Sequence, residues 1–239
     1  MKNGLIFGGS GILVSILVFA GLVLSDPLEQ GKVSLAEGLR TFQKVSLQKA
    51  KGTFEEGLKE KPNDPQLHYF LAQSIDGLAY AEELEGNKDK AYALIEEGVK
   101  AAKRSLELDD SSSDAHRILA ALYGRIIAIK GGMTGAMYGS LNEEEIQRAL
   151  QLDSGNAQAH LELGISRANT PPQFGGDLEV GIKEMEEAIR MNPKLDMAYY
   201  HLGRALLKKG EKGRAKEVLQ KGLQTNPANG FIKRELEKM

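Results

Sequence analysis

The sequence has 239 residues, a formal net charge of −2 at pH 7, and neither cysteine nor tryptophan. Without cysteine the chain can form no disulfide, thiolate nucleophile, zinc–thiolate site or iron–sulfur cluster. Its 31 basic residues are balanced by 33 acidic residues, so the overall charge gives no attraction to nucleic acid, and no nucleic-acid partner is expected.

Residues 1–25 form an apolar segment whose strongest block is Ile12–Leu24. No charge lies between Gly4 and Leu24, and as a helix this stretch would span roughly 31 Å, about the hydrocarbon thickness of a bilayer. We expect a transmembrane anchor, with a signal peptide cleaved near Ser25 as the alternative. Lys2 precedes the segment, so the positive-inside bias places the rest of the chain outside the cytoplasm, membrane-anchored, or secreted if cleavage occurs.

Residues 26–61 begin the helical part of the chain. Asp26 is a candidate N-cap, and Pro27 suits the first position of a helix. No turn residue separates 27–45 from 46–60. Two alternatives therefore remain open here: one long N-terminal helix, or the two helices of a degenerate first repeat.

Four later segments resemble one another. Each has a helix-ending turn, then a His or Tyr, then Leu three residues later and a small residue after it. These segments are 61–72, 109–120, 153–164 and 192–203. The aligned turn residues, with a fifth near the end of the chain, lie 48, 44, 39 and 34 residues apart: Pro62, Asp110, Ser154, Pro193 and Pro227. This repetition predicts an all-α chain of helix–turn–helix units.

The last unit resembles the tetratricopeptide repeat, whose period is 34 residues. The residues that carry the resemblance are Tyr199, Leu202, Gly203, Ala215, Leu219, Gly222 and Pro227. Ala50, Phe54, Gly57 and Pro62 repeat the pattern of its second helix, so the resemblance covers about 46–227. It implies a right-handed α-solenoid whose first helices line a concave groove for peptides or partner helices.

Two glycine-rich insertions fall between the helices of consecutive repeats, at 130–140 and 170–177. We expect both to be long loops on the same edge of the solenoid. Ser140 would start a helix as part of a capping box with Glu143, and Asp177 is a strong N-cap candidate. The second loop is either a simple corner or part of a ligand site, in which case the residues involved would be Phe174, Gly175, Gly176 and Asp177.

The predicted organisation therefore has four parts. Residues 1–25 are the anchor or signal peptide, and 26–61 are the N-terminal helix or degenerate repeat. Residues 62–227 are the repeat array, and 228–239 form a short amphipathic helix that caps its end, as solenoids require.

Three histidines occupy equivalent repeat positions, namely His68, His116 and His160. Equivalent residues of stacked repeats lie on the order of 10 Å apart, whereas two nitrogens that share one zinc ion each lie about 2.1 Å from it. We therefore expect no metal site and interpret the imidazoles as packing residues. No hydrolase, nucleotide-binding or metalloprotease motif appears. An enzyme and a resident cofactor are not expected.

The resemblance also implies which side chains face the groove. Carried over by repeat position, the candidate binding residues are Tyr69, Gln73, Arg117, Arg125, Asn169, Tyr200, Arg204 and Lys208. In the C-terminal half of the groove, the basic residues Arg117, Arg125, Arg204 and Lys208 are opposed by Asp114 alone. The groove is therefore expected to take a carboxylate or an acidic protein segment.

These features favour a non-enzymatic, membrane-anchored tetratricopeptide scaffold that binds other proteins. A narrower resemblance leads to an alternative. An export segment followed by helical repeats with glycine-rich loops resembles the T-component of tripartite ATP-independent periplasmic (TRAP) transporters, which implies an exported protein that binds small ligands. The cysteine that anchors many members of that group to lipid is missing here.

Overall fold

The structure, a computed structural model, describes residues 26–239, and within that range it contains eleven α-helices and no strand. The helices of the first half are α1 (Pro27–Thr41), α2 (Lys44–Glu60), α3 (Pro65–Leu84), α4 (Lys88–Leu108), α5 (Ser113–Lys130) and α6 (Gly132–Leu152). Those of the second half are α7 (Ala157–Asn169), α8 (Leu178–Met191), α9 (Asp196–Lys209), α10 (Lys212–Thr225) and α11 (Gly230–Glu237). The predicted anchor or signal peptide lies outside the described residues.

The helices are arranged as five stacked hairpins followed by α11. The helices of each hairpin pack against each other, and the first helix of each hairpin also contacts the first helix of the next. This second set of contacts, from α1 through α3, α5 and α7 to α9, forms the inner wall of a solenoid. The predicted all-α repeat architecture is thus confirmed for the described part of the chain.

Small residues allow the two helices of a hairpin to cross closely. A Cβ atom added to Gly203 would lie 2.6 Å from the side chain of Leu219, and one added to Gly222 would lie 2.6 Å from the Cβ of Tyr199. Real Cβ contacts are longer than this, so only glycine fits without a shift. The glycines of the repeat pattern are therefore required by the packing of α9 on α10.

Residues 26–61 form two helices, so the alternative of a single long helix is wrong. Asp26 caps α1 by accepting a hydrogen bond from the backbone N–H of Leu28. α1 ends at Thr41, because the next residue, Phe42, has a left-handed φ of 52° that breaks the helix without a glycine or proline. The Phe42 ring is 9% exposed, so its burial stabilises this unusual backbone conformation.

The predicted long loop at 130–140 is absent from the structure. α6 already begins at Gly132, and Ser140 lies within it rather than at its start. Gly131 and Gly132 both have positive φ, so two residues complete the turn that a longer loop was expected to make. The following segment includes methionine and alanine, which favour helix, and Tyr138 packs on Tyr123 of α5 with ring centroids 5.3 Å apart.

The insertion at 170–177 is a compact corner. Pro172–Phe174 forms one 3-10 turn, and Asp177 caps α8 by accepting hydrogen bonds from the N–H groups of Glu179 and Val180. A Cβ atom on Gly176 would lie 1.7 Å from the carbonyl oxygen of Thr170, so the chain doubles back where only glycine fits. The Phe174 side chain is 73% exposed.

One hydrogen bond recurs in four consecutive repeats. In each, the ring of the residue at the aromatic position donates to the backbone carbonyl six residues earlier, in the preceding turn. The pairs are His68 with Pro62, His116 with Asp110, His160 with Ser154, and Tyr199 with Pro193. This bond explains why either His or Tyr occupies the position, because both side chains bring an N–H or O–H donor to the same carbonyl.

The C-terminal helix α11 connects the two ends of the solenoid. Its Phe231 ring contacts Phe42 of the α1–α2 turn, Tyr80 of α3 and Tyr200 of α9, with centroid distances of 5.4, 5.6 and 5.4 Å. The side-chain amide of Asn226 donates to the backbone carbonyl of Arg40 at 2.8 Å. First and last repeats therefore touch across the mouth of the groove.

Candidate binding groove

The inner wall of the solenoid carries a buried ionic cluster between α3 and α5. Arg125 forms an ion pair with Asp76 and a second, 2.8 Å long, with Glu83. Its guanidinium carbon also lies 3.7 Å from the centroid of the Tyr80 ring, a cation–π contact. Burial acts to lower the pKa of Arg125, but the neighbouring carboxylates and Tyr80 raise it above its ordinary value. Arg125 is therefore a permanently charged centre of the cluster.

Arg117 lies on the same helix, α5, two turns before Arg125, and is 5% exposed. One of its terminal nitrogens donates to the Tyr69 hydroxyl at 3.4 Å. The Nε atoms of Arg117 and Arg125 are both buried without a hydrogen-bond partner among the described residues. Buried donors of this kind are uncommon in native proteins, so two of them on one inner wall mark a site that favours an added acceptor.

The next two inner helices, α7 and α9, carry a carboxyl and an imidazole. Burial raises the pKa of Glu162 on α7 to about 7; Arg117 acts against this shift, whereas Asp76 adds to it. Burial also lowers the pKa of His201 on α9 to about 3, together with the charges of Arg204 and Arg125. His201 is therefore neutral at physiological pH, while Glu162 is close to half-protonated.

A cavity of about 230 Å³ opens between α7, α8 and α9. The polar residues that line it are Asn169, His201, Arg204 and Lys208. The ammonium of Lys208 donates to the carbonyl of Ala168 at 2.6 Å, and the Arg204 guanidinium lies 5.7 Å from the Tyr200 ring. Across residues 26–239 neither cation forms a salt bridge, so the cavity has a local positive charge. Its volume suits a side chain or a small acid.

The structure places the predicted groove residues in two groups. Asn169, Arg204 and Lys208 meet at the cavity, while Tyr69, Arg117 and Arg125 belong to the inner wall, where both arginines are buried. Gln73 on α3 is half-buried, and Tyr200 is partly covered by Phe231.

The predicted excess of positive charge, opposed by Asp114 alone, is wrong for the inner wall. Asp76 and Glu83 pair with Arg125, and Glu162 faces Arg117. Asp114 instead accepts a hydrogen bond from the Asn156 side chain at 3.0 Å. An excess of positive charge remains only at the cavity, around Arg204 and Lys208.

The loop candidates lie at the outer edge rather than in the groove. Gly175 accepts a long hydrogen bond from Arg167, which also pairs with Glu143 of α6 at 2.5 Å. Asp177 is committed to capping α8. Because Tyr138 turns inward against α5 while Phe174 is exposed, these two rings do not face a common cleft.

Sequence reasoning did not select five residues that shape the groove: Tyr80, Glu83, Glu162, His201 and Phe231. Two of them, Tyr80 and Glu83, could have been predicted from the sequence. Positions 73, 76, 80 and 83 are three, four and three residues apart, which places them on one face of a helix with Gln73 and Asp76. Phe231 was not, since its contacts lie at the far end of the solenoid.

The comparisons with known proteins agree with this architecture. A family model described as Regulator of microtubule dynamics protein 1-3 matches residues 35–165, more than half of the sequence. The chain belongs to this family. A second model, described as Tetratricopeptide repeat, matches residues 198–229, which include α9 and α10 in large part. The predicted tetratricopeptide identity is thus confirmed.

Solved structures show the same fold. A thermophilic tetratricopeptide protein of Thermus thermophilus is similar over 89% of this chain and 96% of its own, with a TM-score of 0.67 and 18% identity. A chain of the APC/C hetero-tetramer Cut9–Hcn1 is similar over 92% of this chain and 38% of its own, with a TM-score of 0.58 and 17% identity. At these identities the similarity shows the fold alone.

No curated protein sequence matches the chain. Neither matching family model describes a transporter component, so the resemblance to the T-component of TRAP transporters stays a prediction. Across residues 26–239, none of the helices has the length and apolarity needed to cross a bilayer.

Proposed function

We propose that the protein is a non-enzymatic tetratricopeptide scaffold whose concave groove binds an acidic segment of a partner protein. The observation that carries the proposal is the pair Arg204 and Lys208, two cations beside one cavity with no carboxylate partner in the described part of the chain. A guanidinium and an ammonium, both exposed at the rim of one cavity, favour a carboxylate ligand. The neutral imidazole of His201 adds a hydrogen-bonding group that carries no competing charge.

The proposal is tested by the affinity of a fluorescein-labelled decapeptide of glutamate, measured by anisotropy on the full chain. We expect saturable binding that weakens with salt, because exposed charges are screened. The variant with Arg204→Glu and Lys208→Glu is expected to lose at least tenfold in affinity, which corresponds to about 1.4 kcal/mol.

The matched control carries the same change of charge on α10, at Lys216→Glu and Lys221→Glu, where both side chains are exposed. If the two double variants weaken binding equally, the peptide senses only overall charge, and the groove is not its site. A decalysine peptide, which should not bind, controls for the sign of the interaction.

The proposal includes anchoring through residues 1–25, with the repeat domain outside the cytoplasm. Its support is the uncharged stretch from Gly4 to Leu24. Intact mass and membrane fractionation of the expressed chain distinguish a retained anchor from cleavage near Ser25. Full-length protein in the soluble fraction would contradict both the retained anchor and the cleaved signal peptide.

A second candidate function is regulation of microtubule dynamics. It is supported by the family model of that description, which matches residues 35–165. Cosedimentation with polymerised tubulin, together with the rate of tubulin polymerisation followed by turbidity, is the direct test. A protein that neither sediments with microtubules nor changes the rate does not have this function.

A further inference from the structure

The helix α11 lies across one end of the groove, where its Phe231 ring contacts the first and last repeats. Phe231 contacts Tyr80 on α3 and Tyr200 on α9, and both tyrosines belong to first helices that line the inner wall. The Phe231 ring therefore bridges two facing walls of the same groove. This contact differs from ordinary capping, in which a terminal helix covers only its neighbouring repeat.

The Phe231 contact is part of a chain of ring–ring and cation–π contacts. Arg125 lies over the Tyr80 ring at 3.7 Å, Tyr80 meets Phe231 edge to face at 5.6 Å, and Phe231 meets Tyr200 at 5.4 Å. Arg204, one of the two unpaired cations at the cavity, lies 5.7 Å from the Tyr200 ring. Phe231 is thus connected through ring contacts to both the buried ionic cluster and the cavity.

The inner wall on which Phe231 packs also holds polar groups without a hydrogen-bond partner among the described residues. Arg117 and Arg125 are 5% and 8% exposed, and the Nε atom of each has no partner among residues 26–239. Buried donors without acceptors make a closed groove less favourable. An incoming segment that supplies acceptor oxygens satisfies them, and Arg125, which lies against the Tyr80 ring, is the one next to the Phe231 contact.

We propose that α11 is an intramolecular latch: Phe231, seated between Tyr80 and Tyr200, closes the groove, and an acidic segment that binds in the groove releases it. This inference rests on the proposed function, since the ligand is the one proposed for the groove. Closure and ligand binding are then linked equilibria, and the apparent dissociation constant equals the intrinsic one divided by the open fraction.

The first measurement concerns the latch alone. Because the chain has no cysteine, single cysteines can be placed without background. Spin labels at Val45→Cys on α2 and Lys233→Cys on α11, both exposed positions, report the distance between these two helices. Phe231→Ala is expected to add a longer distance population. The pair Val45→Cys and Asp89→Cys, which does not include α11, should be unchanged and shows that the repeats remain folded.

The second measurement concerns the coupling. Phe231→Ala is expected to bind the labelled decaglutamate peptide about tenfold more tightly, a change that loss of structure alone would not give. A bifunctional methanethiosulfonate linker that joins the two cysteines introduced by Val45→Cys and Lys233→Cys should hold the latch closed and abolish binding, and reduction should restore it.

The outcomes separate the two proposals. The latch is overturned if Phe231→Ala leaves the distance distribution unchanged, or if linked and reduced proteins bind the peptide equally. If the reduced protein and Phe231→Ala both fail to bind, the acidic ligand is wrong, and the distance measurement on Phe231→Ala still decides whether α11 closes the groove. Phe231→Leu, which keeps an apolar side chain, should give intermediate values in both measurements.

Discussion

His116 of α5 and Glu145 of α6 lie 2.6 Å apart, nitrogen to oxygen, and join the two helices of one repeat. The other ring nitrogen of His116 donates to the carbonyl of Asp110. A ring that donates from both nitrogens is an imidazolium. Although burial acts in the opposite direction, the hydrogen bond to Glu145 raises the pKa of His116 above its ordinary value.

We expect this pair to make stability depend on pH. A histidine whose folded pKa is raised stabilises the fold fully below its unfolded pKa of about 6.5, and the contribution is lost as pH rises through the folded value. Urea unfolding of wild type and His116→Gln should differ by about 1 kcal/mol at pH 6 and converge above the folded pKa. His68→Gln, at an equivalent position, is the control. A constant difference across pH would contradict the charged pair.

Glu162 should give a pH dependence with its own signature. Its folded pKa of about 7 exceeds the ordinary value of about 4.3, so the folded state binds the proton more tightly, and stability falls as pH rises between these values. Glu162→Gln, which stays neutral, is expected to be more stable than wild type at pH 8 and nearly equal to it at pH 4. Chemical denaturation at both pH values measures this, and a less stable variant at pH 8 would show that the ionised carboxylate is favourable.

The ion pair between Asp76 and Arg125 is expected to be costly to break. Asp76→Ala leaves a buried guanidinium with Glu83 as its remaining carboxylate partner and should lower the free energy of unfolding by about 3 kcal/mol. The double variant Asp76→Leu with Arg125→Met, which removes both charges, should recover part of the loss. Urea midpoints of the single and double variants test this.

An exposed pair provides the comparison. Arg148 bonds Asp110 at 3.2 Å on the surface, and Arg148→Ala should cost less than about 1 kcal/mol. Equal losses at the buried and exposed sites would show that burial does not control the energy of these pairs.

The close crossing of α9 and α10 predicts opposite effects for two glycines. Gly203→Ala places a Cβ atom 2.6 Å from Leu219 and should destabilise the protein by about 1–3 kcal/mol. Gly213, near the start of α10, has open space around the added atom, so Gly213→Ala should stabilise by up to about 1 kcal/mol through helix propensity. Thermal unfolding midpoints of both variants decide the matter, and a shift of the same sign in both would be incompatible with a specific crossing contact.

The repeat architecture was predictable because it rests on local patterns. Pro62, Asp110, Ser154 and Pro193, aligned from the sequence as turn residues, all accept the recurrent hydrogen bond from a His or Tyr six residues later. The six-residue spacing between acceptor and ring is preserved even where the helices of a hairpin are longer. The glycine-rich stretch 130–140 predicts a loop, but Gly131 with Gly132 completes the turn alone, and the helix propensity of the following residues prevails.

The positions of the inner arginines along their helix were predictable from the sequence, but their ion pairs were not. Repeat spacing placed Arg117 and Arg125 on the inner wall, yet it did not reveal that Asp76 and Glu83 pair with Arg125 from the neighbouring helix. Such contacts depend on how far adjacent repeats rotate about each other, which a single sequence does not specify. The position of Phe231 depends on the summed rotation of all the repeats, so it is even harder to predict from the sequence.

The hydrogen bond from Asn226 to Arg40 joins residues 186 positions apart in the sequence. In an open solenoid each terminal repeat has one neighbour, so fraying starts at the ends and proceeds inward. Here the two terminal repeats contact each other, and the one-dimensional array of residues 26–239 closes into a ring. The loop-closure entropy of that contact is overcome only once the intervening hairpins are in place. Folding should therefore finish with a late, non-local step, and the native ring should unfold as a single cooperative unit rather than repeat by repeat.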